Sequence, residues 1–519
     1  MSMKVAIIGA GSILFTRKLM GDILTVPEFE ETRFGFTDIS QQNLNMVTQL
    51  AERDLKANRK PAMIFSSTDR RRVLEGADYI INVSRVGGIE AFQTDIDIPL
   101  KYGIDQCVGD TICAGGIMYG QRNIPQILNF CDDIREVAAE NALLLNYANP
   151  NAMNTWVANT YGDVETIGLC HGVQNGHEQI AEVIQLLVND GKNPDASGYV
   201  PVTVDDVDII CAGINHQTWY IQVIYDGQDW TDRLLEGFER HPKYSKTEKV
   251  RIDMLRRFEY YSTESNGHLS EYLPWYRKRP KDIAQWIDLS EWIHGETGGY
   301  LRFTMEGRNW FETDFPQWLK EEPPVFSPET RSHEHGSYII EALETGRVYR
   351  GHFNVINNGT ITNLPDDCVV EVPGYIDRNG VSIPKVGELP LGCAAVCNMS
   401  VNVQRLAVEA AVHGDVALLK QAMMLDPLVG AVCSTPEISQ MTDEMLIGQA
   451  QWLPQYADEI AEAQQRFESE PRLGTNNTEG AARLKIRSSE ELQEDGTHMQ
   501  RIFAGRRADP GNEANRQVG

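Results

Sequence analysis

The sequence predicts an α/β protein whose first half is a Rossmann-like, doubly wound parallel sheet. Continuous apolar runs, which suit strands buried on both faces, alternate there with segments of helical length. The first run, Lys4–Ile8, opens into Gly9-Ala10-Gly11 and is followed by a helical pattern over Phe15–Leu24. A strand, a glycine-rich turn and a helix in this order are typical of a nucleotide-binding unit. We therefore predict such a domain over residues 1–195.

Five apolar runs are predicted as the strands of this sheet. The second run reads "RFGFTDIS" and its strand ends at Asp38, while the two longest intervening segments have helical spacing. The alternation predicts parallel strands with helices on both faces. The predicted strands are Lys4–Ile8, Arg33–Asp38, Ala77–Ser84, Asn141–Pro150 and Val164–Cys170, and the two helices are Ile39–Asn58 and Asn123–Glu140.

After about residue 195 the pattern changes to that of an α+β domain. Val207–Asn215 and Thr218–Tyr225 alternate like antiparallel strands, and His352–Asp377 is rich in strand formers and turn signals. Met399–Met424 and Met441–Phe467 have the periodicity of long helices. We predict an α+β substrate and oligomerisation domain over residues 196–467, followed by a polar C-terminal extension or arm over residues 468–519.

Composition excludes some classes of partner. The chain has 519 residues and a formal net charge of -27, which argues against a nucleic-acid or anionic membrane partner because both need a basic surface. No apolar stretch approaches the roughly 18 residues of a membrane helix. The nine cysteines are odd in number and show no disulfide framework, so we expect reduced thiols and a cytoplasmic protein.

The glycine-rich turn is the candidate nucleotide site. The first glycine would make the tight turn and the second would let the backbone approach a pyrophosphate at the helix N-terminus. A carboxylate at Asp38 would accept hydrogen bonds from ribose hydroxyls and disfavour a 2′-phosphate, so NAD is the predicted cofactor. The alternative is that Gly9 and Gly11 only form a turn between a strand and a helix and bind no nucleotide. The candidate cofactor-binding residues are Gly9, Gly11, Ser12, Asp38 and Asn82.

A cysteine and a histidine stand together in "GLCHGVQNG", where the fifth predicted strand ends. Cys170 and His171 would lie in the crevice where open sheets bind ligands. His216 follows another apolar run, and a thiolate with one or two imidazoles forms an open coordination shell of the kind that metal-dependent catalysis needs. The alternative is that Cys170 is a small buried hydrophobic residue and that the histidines are ordinary core or surface residues.

Three other stretches carry polar groups. "NYANP" offers Asn149 for sugar hydroxyls, and the glycine-rich loop "VGDTICAGG" carries Asp110 but could be a plain turn. "TESNGHLSEYLPWY" places His268 and Tyr272 among carboxylates and aromatic rings. Such a segment suits acid–base chemistry and sugar stacking, although an amphipathic helix surface would have the same composition.

Taken together, these stretches resemble the NAD- and manganese-dependent glycosidases of glycoside hydrolase family four. Within this family, the sequences of these stretches are most similar to those of α-galactosidases of the melibiose type. The resemblance covers roughly residues 1–460. The stretches that carry it are "AIIGAGSILFTRKLMGDIL", "VGDTICAGGIMYGQRNIP", "LLLNYANPNAMNTW", "GLCHGVQNG", "CAGINHQTWY", "TESNGHLSEYLPW", "NLPDDCVVEVP" and "NVQRLAVEAAV".

The resemblance implies a fold similar to that of lactate and malate dehydrogenases, together with NAD and Mn²⁺ or another divalent transition metal as cofactors. It implies that Cys170 and His216 bind the metal against the sugar and that His171 lies beside the leaving group. The other residues that it places in the site are Asp110 and either His268 or Tyr272 for catalysis, and Asn149, Arg122 and His216 for substrate binding.

The implied reaction is hydrolysis of an α-glycoside, with an α-galactoside as the expected substrate. NAD removes hydride from C3, a base removes the C2 proton, the aglycone leaves, water adds and the hydride returns. A homodimer or homotetramer is expected from the resemblance. A lactate/malate-type dehydrogenase and a non-catalytic nucleotide sensor are the other functions considered.

Three positions depart from the family pattern. Tyr119 stands where family members usually have arginine, and His333 and His335 stand where arginine and tyrosine are expected. Gly172 makes the motif "CHGV", whereas typical α-galactosidases have "CHSV" and relatives that act on uronates can have glycine. An α-uronidase, acting on galacturonides or glucuronides, is therefore the alternative within the same family. A uronate would need a basic residue nearby.

Overall fold

The computed structural model describes residues 3–192, 194–287, 301, 314–478 and 480. Its thirteen strands form one sheet. They are β1 Lys4–Ile8, β2 Arg33–Thr37, β3 Met63–Ser66, β4 Tyr79–Asn82, β5 Leu143–Asn146, β6 Thr166–Gly168, β7 Val207–Ile214, β8 Gln217–Tyr225, β9 Gln228–Asp229, β10 Tyr261–Ser262, β11 Tyr349–Ile356, β12 Val369–Asp377 and β13 Gly380–Ser382.

The first six strands are parallel and lie in the order β3-β2-β1-β4-β5-β6. This is the strand order of a Rossmann fold, so the predicted fold class is confirmed. The sequence prediction had missed β3, which is an edge strand of only four residues with half-exposed and exposed side chains. Such a strand carries no continuous apolar run, and the apolar run was the signal used.

The sheet continues into the second half of the chain through antiparallel strands. Asn354 of β11 pairs with Gly168 of β6, and Glu371 of β12 pairs with Gly213 of β7. β7 and β8 form the predicted antiparallel pair. The sheet therefore crosses the predicted division between residues 195 and 196, and the division itself stays a prediction.

Helices cover both faces of the sheet. They are α1 Ile13–Leu24, α2 Gln41–Ala57, α3 Arg70–Leu74, α4 Gly88–Lys101, α5 Cys113–Val137, α6 Asn151–Thr160, α7 Gly172–Val188, α8 Leu234–Arg240, α9 Tyr244–Thr247, α10 Lys249–Phe258, α11 Asn266–Glu271, α12 Pro280–Trp286, α13 His335–Thr345, α14 Leu391–His413, α15 Val416–Leu425, α16 Pro427–Val432, α17 Thr435–Gly448 and α18 Ala457–Ser469. Across the described ranges, none of the helices combines the length and apolar character that crossing a membrane requires.

The prediction of two unbroken helices over Met399–Met424 and Met441–Phe467 is wrong. Gly414 adopts φ +65° and ends α14, and the Asp415 carboxylate accepts hydrogen bonds from the first amides of α15. A left-handed glycine and a capping carboxylate stop one helix and start another without interrupting the apolar periodicity. Two short 3₁₀ turns, the second beginning at Pro454, likewise separate α17 from α18.

Alternate side chains of the central strands enter two different cores. In β1, Ala6 and Ile8 pack in one cluster with α5 and α14, while Val5 and Ile7 pack in the other with α1 and α2. This period of two is what a strand covered on both faces requires.

The predicted C-terminal extension over residues 468–519 lies mostly outside the described residues. Its first part packs on the body of the protein. The Leu473 amide donates to Gln440 Oε1 at 2.8 Å, and the Asn476 amide donates to the Lys101 carbonyl at 2.9 Å.

We expect Gly176→Ala to destabilise the protein. A Cβ at Gly176 would lie 2.2 Å from the Tyr220 hydroxyl, which is held by a 2.7 Å hydrogen bond to the Val173 carbonyl. Overpacking of this kind costs about 1–3 kcal/mol, and the midpoint of denaturant unfolding measures it. Asn175→Ala, at the exposed neighbouring position, is the control. Equal midpoints for the two variants would contradict the expected clash.

Candidate active site

The glycine-rich turn joins β1 to α1 beside the end of β2. Gly9 has φ +85°, and a Cβ there would lie 2.8 Å from the backbone of Ser84, so only glycine fits. The Gly11 amide donates to Asp38 Oδ2 at 2.8 Å, and the Ser40 amide donates to Oδ1 at 2.8 Å. The Asp38 carboxylate is thereby oriented at the mouth of the turn, where the sequence predicted a ribose.

The other two predicted cofactor residues flank this turn. Ser12 is the N-cap residue of α1, and its side chain makes no capping hydrogen bond. Asn82 ends β4 and is buried, with its amide donating to Asn146 Oδ1 at 2.9 Å and its Oδ1 accepting from the Ser84 hydroxyl at 2.7 Å. Asn82 therefore supports the loop that packs against Gly9. Direct contact of either residue with a cofactor stays a prediction.

A buried histidine between two carboxylates forms the centre of the second polar group. His268 Nε2 lies 2.9 Å from Asp110 Oδ1, and His268 Nδ1 lies 3.0 Å from Glu264 Oε2. Burial opposes a charge on the ring, but Asp110 and Glu264 outweigh it and hold the pKa of His268 well above its usual range. The Glu264 pKa falls to about 2 because His268 and His216 outweigh its burial. In this arrangement His268 is an imidazolium.

His216 is the neutral member of the group. Burial and the neighbouring charge of His268 lower its pKa to about 4. Thr111 Oγ1 donates to Asp110 Oδ1 at 2.9 Å and lies 2.7 Å from His216 Nδ1, so its hydroxyl oxygen accepts the Nδ1 proton. Nε2 of His216 then keeps a free lone pair, which is the form in which histidine binds a metal.

These side chains could hold a metal ion. One ligand atom each from Asp110, His216 and His268 lies within 4.8 Å of the others. Two imidazoles and a carboxylate suit a divalent transition metal. His268 would have to give up its hydrogen bond to Asp110 in order to bind metal, whereas His216 is already in the required form.

Cys170 stands to one side of this cluster. Its Sγ accepts a hydrogen bond from the Gly172 amide at 3.4 Å, and burial together with Glu371 and Glu264 raises the pKa of the thiol. A Cβ at Gly172 would lie 3.7 Å from the Cys170 sulfur and 2.6 Å from Glu264 Oε1. The glycine therefore makes room for Glu264 between the "CHGV" turn and His268. The pairing of Cys170 with His216 as metal ligands stays a prediction.

Glu271 fastens the loop that carries Asp110. Its side chain is fully buried and accepts hydrogen bonds from the backbone amides of Cys107, Val108 and Gly109 at 2.7–3.1 Å. Since Glu271 and His268 lie on the same short helix, α11, the loop is held at two points. Asn149 joins them, because its amide donates to Asp110 Oδ2 at 2.7 Å.

Tyr272 follows this helix, and its ring stacks at an interplanar angle of 6° against His216, with 6.5 Å between the ring centroids. Burial and the charges of Asp110 and Glu271 raise the pKa of its hydroxyl well above the usual range. Neither Tyr272 nor the charged His268 is therefore a ready base in this arrangement, and the choice between them stays open.

The chain matches two sequence families that together cover most of it. Residues 4–186 match the family described as Family 4 glycosyl hydrolase. Residues 211–429 match the Family 4 glycosyl hydrolase C-terminal domain. The chain belongs to glycosyl hydrolase family 4.

Members of family 4 with assigned activities include close relatives of this chain. An α-galactosidase of Rhizobium meliloti is 57% identical over 493 residues, which span 95% of this chain and 97% of the relative. An α-galactosidase of Bacillus subtilis is 32% identical and spans 87% of this chain and 99% of the relative. A crystal structure of the Thermotoga maritima 6-phospho-β-glucosidase with manganese, NAD⁺ and glucose-6-phosphate is 23% identical, covers 87% of this chain and 99% of that chain, and has a TM-score of 0.68.

Arg122, a predicted substrate-binding residue, forms a buried ion pair. Its two terminal nitrogens donate to the Asp95 carboxylate at 2.8 and 2.6 Å, and both side chains are 0% exposed. Gln449 hydrogen-bonds to both partners. A sugar would reach Arg122 only if this pair opened, so a substrate contact stays a prediction that the observed packing does not favour.

Arg85 is a cation that the sequence analysis overlooked. Its guanidinium lies over the rings of Phe92 and Tyr119, 4.2 and 4.5 Å from their centroids. His268 outweighs burial in lowering the pKa of Asp110, and the charge of Arg85 adds to that effect. Tyr119 on α5, the position where the sequence pattern predicted arginine, is thus a stacking surface for an arginine from the loop after β4. Nothing in the local sequence signals this, because the two residues approach through tertiary packing.

His171, predicted beside the leaving group, is held by a residue that the sequence analysis also missed. His171 Nε2 lies 2.7 Å from Glu334 Oε2, and Lys18 Nζ lies 3.1 Å from Glu334 Oε1. The two neighbouring histidines noted in the sequence have other partners. His335 Nδ1 lies 2.7 Å from the Tyr349 hydroxyl, and the His333 carbonyl accepts from Gln174 at 2.8 Å.

We expect Asp95→Ala to lower the free energy of unfolding by about 3–5 kcal/mol, because it leaves the buried Arg122 charge without its carboxylate partner. Denaturant unfolding followed by circular dichroism measures the change. Gln93→Ala, on the same helix, is the control. A loss below about 1 kcal/mol would be typical of an exposed pair and would show that Arg122 can reach solvent.

Proposed function

We propose that this chain hydrolyses α-galactosides with the help of bound NAD and a divalent metal ion such as Mn²⁺. The observation that carries the proposal is the identity of 57% over 493 residues with the α-galactosidase of Rhizobium meliloti. The Thermotoga maritima structure, which holds NAD⁺ and manganese, supports the two cofactors. The site geometry supports the same function, since Asn82 ends β4 while Asn149 and Cys170 follow β5 and β6, all on the ligand-binding edge of the parallel sheet.

The glycine-rich turn fits a dinucleotide. Gly9 lets the turn pack tightly against the Ser84 backbone, and Gly11 lets it pack against the Asp38 carboxylate. The turn leads directly into the start of α1, where a pyrophosphate would bind backbone amides. The Asp38 carboxylate, fixed by two backbone amides, would bind ribose hydroxyls and repel a 2′-phosphate.

The polar group beside the turn fits a divalent metal. His216 presents a neutral Nε2. Burial raises the pKa of the Cys170 thiol, and the negative charges of Glu371 and Glu264, which a cation would offset, raise it further. Imidazole and thiolate donors suit divalent transition metals in general, and a carboxylate donor suits manganese among them. When bound, NAD supplies the hydride acceptor for the sugar, and the metal ion stabilises negative charge on the sugar oxygens.

The remaining side chains would hold the sugar. Asn149 and Asp110 form a hydrogen-bonded pair that can bind two sugar hydroxyls. His171, whose side chain is 41% exposed, can reach an oxygen that leaves C1. Most glycosidases instead need two carboxylates, one on either side of the scissile bond, and the NAD-dependent family is one of the exceptions.

We further propose that the protein works in the cytoplasm as a homodimer or homotetramer. All nine cysteines are free thiols in the structure, which supports a reducing compartment. Thiol ligands also need reduced sulfur to bind metal.

Release of 4-nitrophenol from 4-nitrophenyl α-galactoside tests the proposal. We expect release that requires NAD in catalytic amounts, Mn²⁺ and a reductant, with no net formation of NADH because the hydride returns. The 4-nitrophenyl α-glucoside and α-galacturonide show which sugar the protein prefers, and a chelator should abolish release.

Cleavage of the galacturonide in preference to the galactoside would favour the α-uronidase alternative. Net NADH from a hydroxy acid would favour a dehydrogenase. No release from any of the three would contradict a glycosidase.

Metal binding separates the two possible ligand sets. We expect Cys170→Ser to weaken Mn²⁺ binding by at least about tenfold, since a hydroxyl is a poor replacement for a thiolate. Titration calorimetry or the electron paramagnetic resonance signal of free Mn²⁺ measures the affinity without substrate. Cys433→Ser, at a thiol that donates to the Tyr102 carbonyl away from the site, is the control. Unchanged affinity in Cys170→Ser together with weakened binding in Asp110→Asn would place the metal in the Asp110, His216 and His268 cluster instead.

A further inference from the structure

The start of α13 forms a support for His171. Glu334, which precedes this helix, is buried, and its two carboxylate oxygens have different partners. Oε2 lies 2.7 Å from His171 Nε2, and Oε1 lies 3.1 Å from Lys18 Nζ on α1. Because each oxygen is engaged, the carboxylate cannot rotate freely. Glu334 therefore ties the "CHGV" turn to the helix that follows the glycine-rich turn.

A second contact from the same helix flanks the histidine ring. The Gly336 amide donates to the Tyr147 hydroxyl at 2.8 Å, and the Tyr147 ring centroid lies 6.3 Å from that of His171 at an interplanar angle of 30°. Phe15 packs edge-on against Tyr147 at 5.1 Å. The imidazole is thus held at one nitrogen by a carboxylate and along one side by an anchored ring.

The other side of His171 is open. Its side chain is 41% exposed, whereas that of Glu334 is 3% exposed. The next residue, Gly172, borders Glu264 of the polar cluster, with 2.6 Å between Glu264 Oε1 and the position of an added Cβ. With Nε2 engaged by Glu334, Nδ1 is the ring nitrogen left to act on a ligand in the cleft.

We propose that Glu334 is a positioning residue for the leaving-group step, and that it acts by fixing the orientation of His171. This inference rests on the proposed function. When the C1–O bond breaks, its electron pair goes to the leaving oxygen, which then needs a proton. His171 Nδ1 gives that proton, and solvent at the exposed ring restores it. A carboxylate that fixes the orientation of a catalytic imidazole is an established device in other enzymes.

The test compares two substrates that differ in their need for a proton. The leaving group of 4-nitrophenyl α-galactoside departs readily as an anion, whereas that of methyl α-galactoside must be protonated. The ratio to measure is kcat/KM for the 4-nitrophenyl galactoside divided by kcat/KM for the methyl galactoside. We expect Glu334→Gln to raise this ratio at least about tenfold, because only the methyl galactoside needs the proton and proton donation contributes on the order of 100-fold or more. The change should lie in kcat, since Glu334 is buried behind His171.

Three further variants distinguish a positioning role of Glu334 from a general loss of structure or activity. Glu341→Gln, within α13, breaks ion pairs with Arg331 before the helix and Arg347 after it, and it should leave the ratio unchanged. Glu334→Asp keeps the charge that pairs with Lys18 but shortens the reach to the ring, so it should fold and still raise the ratio. In a His171→Ala background, Glu334→Gln should have no further effect on the ratio, because residues that act as one unit are not additive.

An equal loss on both substrates in Glu334→Gln and Glu334→Asp would overturn the positioning role and leave the proposed function intact. A further rise of the ratio in the His171→Ala background would also overturn it, since Glu334 would then act independently of His171. Absence of cleavage of both galactosides by the unmodified protein would overturn the proposed function and this inference together.

Discussion

The candidate active site depends on charge pairing between one loop and one short helix. The loop after α4 supplies Asp110 and three backbone amides, and α11 supplies His268 and Glu271. These groups are buried, so removal of one partner would leave a charge or an amide without compensation. The loop comes from the nucleotide-binding half of the chain and the helix from the other half. Their pairing holds Asp110, to which Asn149 is hydrogen-bonded, beside His268.

The continuous sheet is the framework for this pairing. Gly168, Asn354, Glu371 and Gly213 lie side by side across four strands. The segments that lead to Cys170 and to His216 therefore begin at the same level of the sheet, although they are far apart along the chain. Because β6 bonds directly to β11, the two halves of the chain share one hydrogen-bonded layer, which restricts relative movement close to the site.

Carboxylates exceed cations around the polar cluster, and this excess has chemical consequences. Burial raises the pKa of Glu371 to about 7, while the ionised Asp110 and Glu264 hold His268 in its charged form. A divalent cation at this place would offset part of the negative charge and free His268 from its role as counter-ion. The arrangement of Glu334 behind His171 repeats the same device on the other side of Gly172, with a buried carboxylate that orients an imidazole.

Local features of the sequence predicted a substantial part of the fold. β1, the glycine-rich turn and the antiparallel pair β7–β8 were recognisable because their signals lie within about ten consecutive residues. The edge strand β3 and the break at Gly414 were missed, because a short half-exposed strand and a single left-handed glycine barely alter an apolar pattern. Arg122 was assigned to the substrate from its motif, and nothing near it in the sequence signals its buried partner Asp95.

The sequence by itself determined the strand–turn–helix unit, the acidic end of β2 and the residue types available for chemistry, since each depends on neighbours along the chain. Only the tertiary structure decided how those residues are used. It kept His216 neutral through burial and the charge of His268, and Thr111 left its Nε2 free. It also buried Arg122 against Asp95 and set Glu334 against His171 across 163 positions of sequence. Charge pairs and hydrogen bonds act over a few ångströms in space, so sequence patterns do not record them until the fold brings the partners together.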